Sequence, residues 1–167
     1  MFSGRHKGRP EEGQKYNLIG IGADYGQQNA TTYQACGINE YQCRLDGLQE
    51  YYHSGRETGK QKSPSEYAAD FADFVESLQE AYGCNIFYLY LDPSARGLQE
   101  EIKRTCRQRG LAIHFKDAQN EVALGIARVQ KLLTYGILRI SPEQKHLIEE
   151  FGFLTYGPGP GPRPLTS

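Results

Sequence analysis

Two apolar runs that each stop at an aspartate constrain this chain more than any other feature. The first, NLIGIGAD over Asn17–Asp24, is followed at once by Tyr25-Gly26 and a polar stretch. Its composition reads as a strand, so Asp24 sits at the mouth of a sheet, beside a glycine turn where backbone can approach a ligand closely. The second, CNIFYLYLDPS after Gly83, is nearly continuous in apolar residues and ends at Asp92. That pattern predicts a strand buried on both faces. A carboxylate at the end of a strand is costly unless something uses it.

The segments around these runs set the order of the fold. Strands are predicted over 17–25, 30–38 (with Thr31, Thr32 and Tyr33) and 43–52. Only short polar breaks separate them, as consecutive antiparallel hairpins require. A polar segment, His53 to Lys62, leads to Ser63-Pro64-Ser65-Glu66. Ser63 as cap, Pro64 at the first helical position and Glu66 three residues after the cap together predict a helix start. Tyr67, Phe71, Phe74, Val75, Leu78 and Tyr82 then fall on one helical face. After the Asp92 run, a helix is expected from Ser94 with Leu98 and Ile102 inward, and Lys103, Arg104, Arg107 and Arg109 near its C-terminus, where positive charge suits the helix dipole. A strand over 111–116, a helix from about 120 (Val122, Ile126, Val129, Leu133), a strand over 137–140 and a helix opened by Ser141-Pro142-Glu143-Gln144 complete the series. Three antiparallel strands followed by alternating helix and strand describe an α/β domain with a mixed sheet flanked by helices.

Composition narrows the function classes. At 167 residues the chain is long enough for one well-cored domain. A net charge of −1 supplies no global basic field, so contact with nucleic acid needs a local patch. Cys36, Cys43, Cys84 and Cys106 form no CxxC pair and predict reduced thiols in a cytoplasmic setting. No apolar run is long enough to span a membrane, and MFSGRHKGRPEEGQ lacks the apolar core of a secretion signal. Residues 1–15 read as a flexible extension and 157–167, GPGPGPRPLTS over its length, as a disordered tail, because alternating Gly and Pro exclude helix and central strand. The folded domain is expected over 16–156.

The strand-end acids leave alternatives open. If Asp24 and Asp92 end neighbouring strands, they repel unless protonated or bridged by cations, which favours a divalent metal site for phosphodiester chemistry. The Asp-Tyr-Gly turn also suits phosphate binding in a sugar-kinase or actin-like domain, although no second Gly-rich strand-turn is present. A strand-end Asp is also a common turn former or helix cap. Tyr51, Tyr52, Tyr88 and Tyr90 read as packing residues on sheet faces, and His53, His114 and His146 as structural.

The ordered series IGADYGQQNATTY, EYYHSGRETGKQKSPSEYAADFADFV, YLYLDPSA, AQNEVALGIARVQKLL and HLIEEF, over roughly residues 17–154, resembles the C-terminal nuclease domain of the large terminase subunit of tailed phages and prophages. The tyrosine-rich strand leading into SGRETGKQKS, followed by DPSA, is the most specific part. The resemblance implies an RNase H-like fold and metal-dependent endonuclease cutting of concatemeric double-stranded DNA during packaging. Asp24 and Asp92 would be the catalytic acids and the ligands of Mg²⁺ or Mn²⁺. Arg56, Lys60 and Lys62, in the polar segment after the third strand, would follow the DNA backbone. The small terminase subunit, the portal protein or a separate ATPase subunit would be its partners in a bacterial host cytoplasm.

The chain also departs from that pattern. The family's third acidic motif, on a C-terminal helix with a His and a following Asp, has no Asp here, since none follows Asp117. Glu121 stands where the helix after AQN has its first-turn Asp and reads as a helix N-terminal charge. The expectation is a metal site short of one ligand, in a truncated fragment of impaired activity or in an inactive remnant that binds DNA or packaging proteins. Gly55 to Gln61, GRETGKQ, is one residue short of a P-loop and has Gln where Mg²⁺ needs a hydroxyl, so no ATPase motor is expected from this chain.

Overall fold

A computed structural model describes residues 4–119 and 122–155, with side chains given for all of these except 5, 122–126 and 152–155. Three strands come first: β1 (Ile19–Asp24), β2 (Thr31–Asn39) and β3 (Arg44–His53). A short helix, α1 (Gly55–Thr58), precedes α2 (Pro64–Tyr82). Then β4 (Phe87–Leu91), α3 (Arg96–Gln108), β5 (Ile113–Asp117), α4 (Val122–Thr134), β6 (Leu138–Arg139) and α5 (Lys145–Thr155) alternate. The strands form one sheet in the order β5-β4-β1-β2-β3-β6. The pairs β1–β2 and β2–β3 are antiparallel, and β1–β4, β4–β5 and β3–β6 are parallel. This is the mixed sheet flanked by helices that the sequence predicts.

One face of the sheet carries the core. Ile19 and Ile21 of β1, Tyr33 and Ala35 of β2, Leu48 of β3, and Phe87 and Leu89 of β4 are buried together with Tyr67, Phe71, Val75 and Leu78 of α2 and Leu98 and Ile102 of α3. Burying each large apolar side chain contributes about 1.5–3 kcal/mol. Tyr33 stacks on Tyr51 and meets Phe71 edge-to-face, with ring centroids 4.9 and 5.2 Å apart. The start of α2 follows the predicted capping box: Ser63 Oγ accepts from Glu66 N and Glu66 Oε2 accepts from Ser63 N, with Pro64 opening the helix. Gly83, at φ 62°, closes it in the left-handed conformation that glycine adopts without strain.

The second face differs from expectation. The apolar run of β4 predicts burial on both faces, but only Phe87, Leu89 and Leu91 are buried; Tyr88 is half-buried and Tyr90 is 45% exposed. The helix that covers this side, α5, lies over β3. A run of apolar residues cannot report which strands the last helix crosses. Tyr90 is therefore a surface side chain, not the packing residue that its place in the run suggests.

The described part of the N-terminal segment is tied to the sheet, where the sequence suggests a flexible extension. Lys7 bridges Ile140 in parallel, Gly8 N donates to Ile140 O, and Ile140 N donates to His6 O. His6 is buried, and Arg9 pairs with Glu143 at 2.8 Å. The short β6 leaves unpaired backbone at the sheet edge, and residues 6–8 satisfy it. The tail over 157–167 lies outside the described residues. Among those described, no helix is long and apolar enough to cross a membrane, and the four cysteines are all free thiols.

Candidate active site

Parallel pairing of β1 with β4 sets Ala23 against Leu91. The next residues, Asp24 and Asp92, therefore stand side by side at the ends of two strands that run about 4.8 Å apart. In β1 the core-facing positions are Ile19 and Ile21, so Gly20, Gly22 and Asp24 alternate onto the opposite face. Asp24 keeps an exposed edge, yet its carboxyl is pushed above the ordinary carboxylate range, first by lost hydration and then by the negative charge of Asp92. A carboxylate that loses hydration beside a second acid behaves in this way.

Asp92 also has the local role common for strand-end aspartates. Its Oδ1 accepts from Ser94 N at 2.8 Å and its carbonyl from Ala95 N, turning the chain into α3. The turn after Asp24 is equally self-contained. A Cβ at Gly26 would lie 2.6 Å from Ala30 O, and Thr31 Oγ1 takes part in hydrogen bonds with both Gly26 N and Gly26 O. Closure of the hairpin accounts for this glycine without a phosphate.

A third carboxylate, Glu150, is carried by α5. It is pushed upward by lost hydration, then by the charges of Asp24 and Glu50, with His146 acting in the opposite sense. The first turn of α5 is held on β3. Glu50, whose side chain is 6% exposed, accepts from His146 N at 2.8 Å, His146 Nδ1 at 3.0 Å, Leu147 N at 3.3 Å and Gln34 Nε2 at 2.9 Å. Burial alone would raise its carboxyl, but these donors outweigh it and hold the group below the usual glutamate range. The His146 ring lies flat on Tyr52, with centroids 3.6 Å apart and planes 4° from parallel.

Sequence reasoning missed Glu50, His146 and Glu150. The signal is present in HLIEEF, where His146 and Glu150 are four residues apart on one helical face. A search for Asp passes over it, whereas Glu offers the same oxygens on a longer stem. His146, which reads as merely structural, links Glu50 to the helix that carries Glu150. Glu121 lies outside the described residues.

The basic residues divide. Lys62 is engaged by Asp70 and lies 5.9 Å from the Tyr51 ring centroid, so it braces β3 against α2. Lys60 lies 3.8 Å from Glu66 with both side chains open to water, and Arg56 is exposed on α1. Their loop abuts the acid turn, with Gln61 Nε2 donating to Gly26 O at 3.4 Å.

The donor chemistry of Asp24 and Asp92 fits a hard divalent cation, since both offer carboxylate oxygens and their mutual repulsion would be relieved by one. Among the described residues, however, no three His, Cys, Asp or Glu side chains converge as a group that could hold an ion. The pair would supply one side of such a site, and the Asp24 charge also reaches Glu150.

The arrangement, a six-stranded mixed sheet flanked by helices with acids at the ends of adjacent parallel strands, is the RNase H-like fold. Comparison with solved structures is more particular. The large terminase of a thermophilic bacteriophage superposes with a TM-score of 0.67 at 26% identity, over 88% of this chain and 34% of that one. The nuclease domain of the P22 large terminase gives 0.63 at 12%, over 89% and 73%. The human cytomegalovirus terminase nuclease domain, Mn-soaked, gives 0.66 at 12%, over 87% and 79%. This chain thus folds as a terminase nuclease-like domain and spans about one third of the length of the thermophilic phage protein. No protein-family model and no curated protein sequence matches it.

Proposed function

We propose that this chain is a divalent-metal-dependent endonuclease domain that cuts double-stranded DNA in phage or prophage DNA packaging. The observation that carries the reading is the emergence of Asp24 and Asp92 at matching ends of the paired strands β1 and β4. Likeness to the thermophilic phage large terminase and to two terminase nuclease domains supports the substrate class. Asp24 and Asp92 would hold Mg²⁺ or Mn²⁺, which supplies activation of water and stabilisation of the leaving oxygen. The chain's own groups orient and neutralise. Asp92 is tied to Ser94 N by one oxygen, which limits the rotation of its carboxyl. Arg56 and Lys60, on the exposed loop that abuts the Asp24 turn, would meet phosphates. Lys62 would have to exchange its Asp70 partner for a phosphate to share that role.

Plasmid nicking in Mn²⁺ tests the proposal: the unsubstituted chain should nick and Asp24→Asn should not. Equal background from both would sink it. A second reading, a domain that binds DNA or packaging proteins without cutting, is favoured by the lack of a three-ligand cluster among the described residues. It predicts salt-sensitive DNA binding by both chains with no nicking. The packaging motor, the small subunit and the portal would be the partners in either case.

A further inference from the structure

We propose that Glu50 is a positioning residue for the acid site, fixing the pose of α5, the helix that carries Glu150; the proposal rests on the nuclease reading above. Glu50 lies on β3, two strands away from β1, and no sequence feature connects it to either aspartate. Its connection is geometric. Oε1 receives His146 N and His146 Nδ1, and Oε2 receives Gln34 Nε2 and Leu147 N. Every partner is a donor. His146 must therefore carry its proton on Nδ1, because a carboxylate only accepts.

Such a set of partners admits no substitute of equal size. Glutamine at position 50 would turn an NH2 group toward two donors whichever way its amide pointed. The same carboxylate caps the helix, since the amides of His146 and Leu147 are first-turn groups with no partner inside α5. Negative charge at that end also suits the helix dipole.

The rest of the contact fixes the rotation of α5. Gln144 is fully buried: its Nε2 donates to Gln34 Oε1 at 3.1 Å and its Oε1 accepts from Ser141 N at 3.2 Å. It occupies the space left by the missing side chain of Gly47, where a Cβ would collide with the Gln144 amide oxygen. Tyr52 supplies the flat surface on which His146 lies. Three positions of β3, at 47, 50 and 52, thus hold residues 144–147. A slip of one residue along α5 would rotate Glu150 about the helix axis by roughly 100°. Among these three only Glu50 bonds the helix backbone, so it sets the register.

Outer groups that orient ligands typically change metal affinity by about 10–100-fold when removed. The test is Mn²⁺ affinity, read by water-proton relaxation, for the unsubstituted chain, Glu50→Gln, Glu150→Gln and the double variant, with amide exchange followed over 145–155. Glu50→Gln is expected to weaken Mn²⁺ binding about 10-fold and to speed exchange in α5 while β1 and α2 keep their protection. The double variant should bind no more weakly than Glu150→Gln, since both act through the same carboxylate. Unchanged Mn²⁺ affinity in Glu50→Gln, or additive losses in the double variant, would overturn the assignment and leave the nuclease reading standing. If the unsubstituted chain binds no Mn²⁺, the nuclease reading fails first and takes this proposal with it.

Discussion

The two faces of the sheet are built on opposite principles. On the α2–α3 side, apolar side chains from four strands interlock with two long helices, and the layer reads directly as alternation in the strands and a stripe on α2. On the other side, α5 is held by Glu50, Gln144, His146 and Tyr52, while Gly20, Gly22 and Tyr90 leave the sheet open beside Asp24. A face packed by apolar area gains its stability from burial and close contact, which carry no preferred bond direction. A face held by hydrogen bonds fixes rotation and register, which a site made of carboxylates requires.

The contrast can be broken at its strongest point by Phe71→Ala. This fully buried ring meets Tyr33 edge-to-face, and its loss should cost about 3–5 kcal/mol in urea unfolding. A loss below about 1 kcal/mol would mean that the α2 layer is not the stabilising core. Asp46 gives the next largest effect. It accepts from Tyr16 Oη and Arg44 Nε at 2.6 Å each, and removing a charged acceptor of this kind costs about 1.5–3 kcal/mol. Burial opposes the ionised form of Asp46, but hydrogen bonds from Arg44, Tyr16 and Asn39 prevail and hold its carboxyl below the ordinary aspartate range. A depressed value stabilises the fold above the unfolded-state pKa, and that contribution is lost as pH falls through the folded one. The stability gap between the unsubstituted chain and Asp46→Asn should therefore be widest near neutrality and close in acid; a gap that widens in acid would refute the sign.

Smaller effects separate the covered and open parts of the second face. Gly47→Ala should displace Gln144 and speed amide exchange in α5, whereas Gly22→Ala, with nothing within 4 Å of its Cβ, should leave stability within about 0.5 kcal/mol. Equal responses at both positions would erase the distinction. Removing the cap of α2 by Ser63→Ala should cost about 1 kcal/mol in thermal unfolding, a local loss that leaves the Glu50 contacts untouched.

Much of the first face is legible without the fold. The pattern of β1 to β3, the capping box at Ser63 and the inward residues of α2 follow from local chemistry that the structure leaves in place. Lys62 shows the limit. It stands in a basic, polar segment that looks like a phosphate contact, yet Asp70, more than a full turn into α2, neutralises it. Tyr90 shows the converse, since an apolar run says nothing about which strand the last helix will leave uncovered.

The sequence by itself determined the order of the strands and the longer helices, though not the single turn of α1, because strand alternation, helical period and capping are interactions between near neighbours. It also placed Asp24 and Asp92 at strand ends, where a single residue type and its position in the run suffice. Only the tertiary structure decided that these two strands pair in parallel with Ala23 opposite Leu91, and that Glu50 holds His146 across 96 positions of chain. Those relations depend on which surfaces meet after collapse, and no local pattern encodes them.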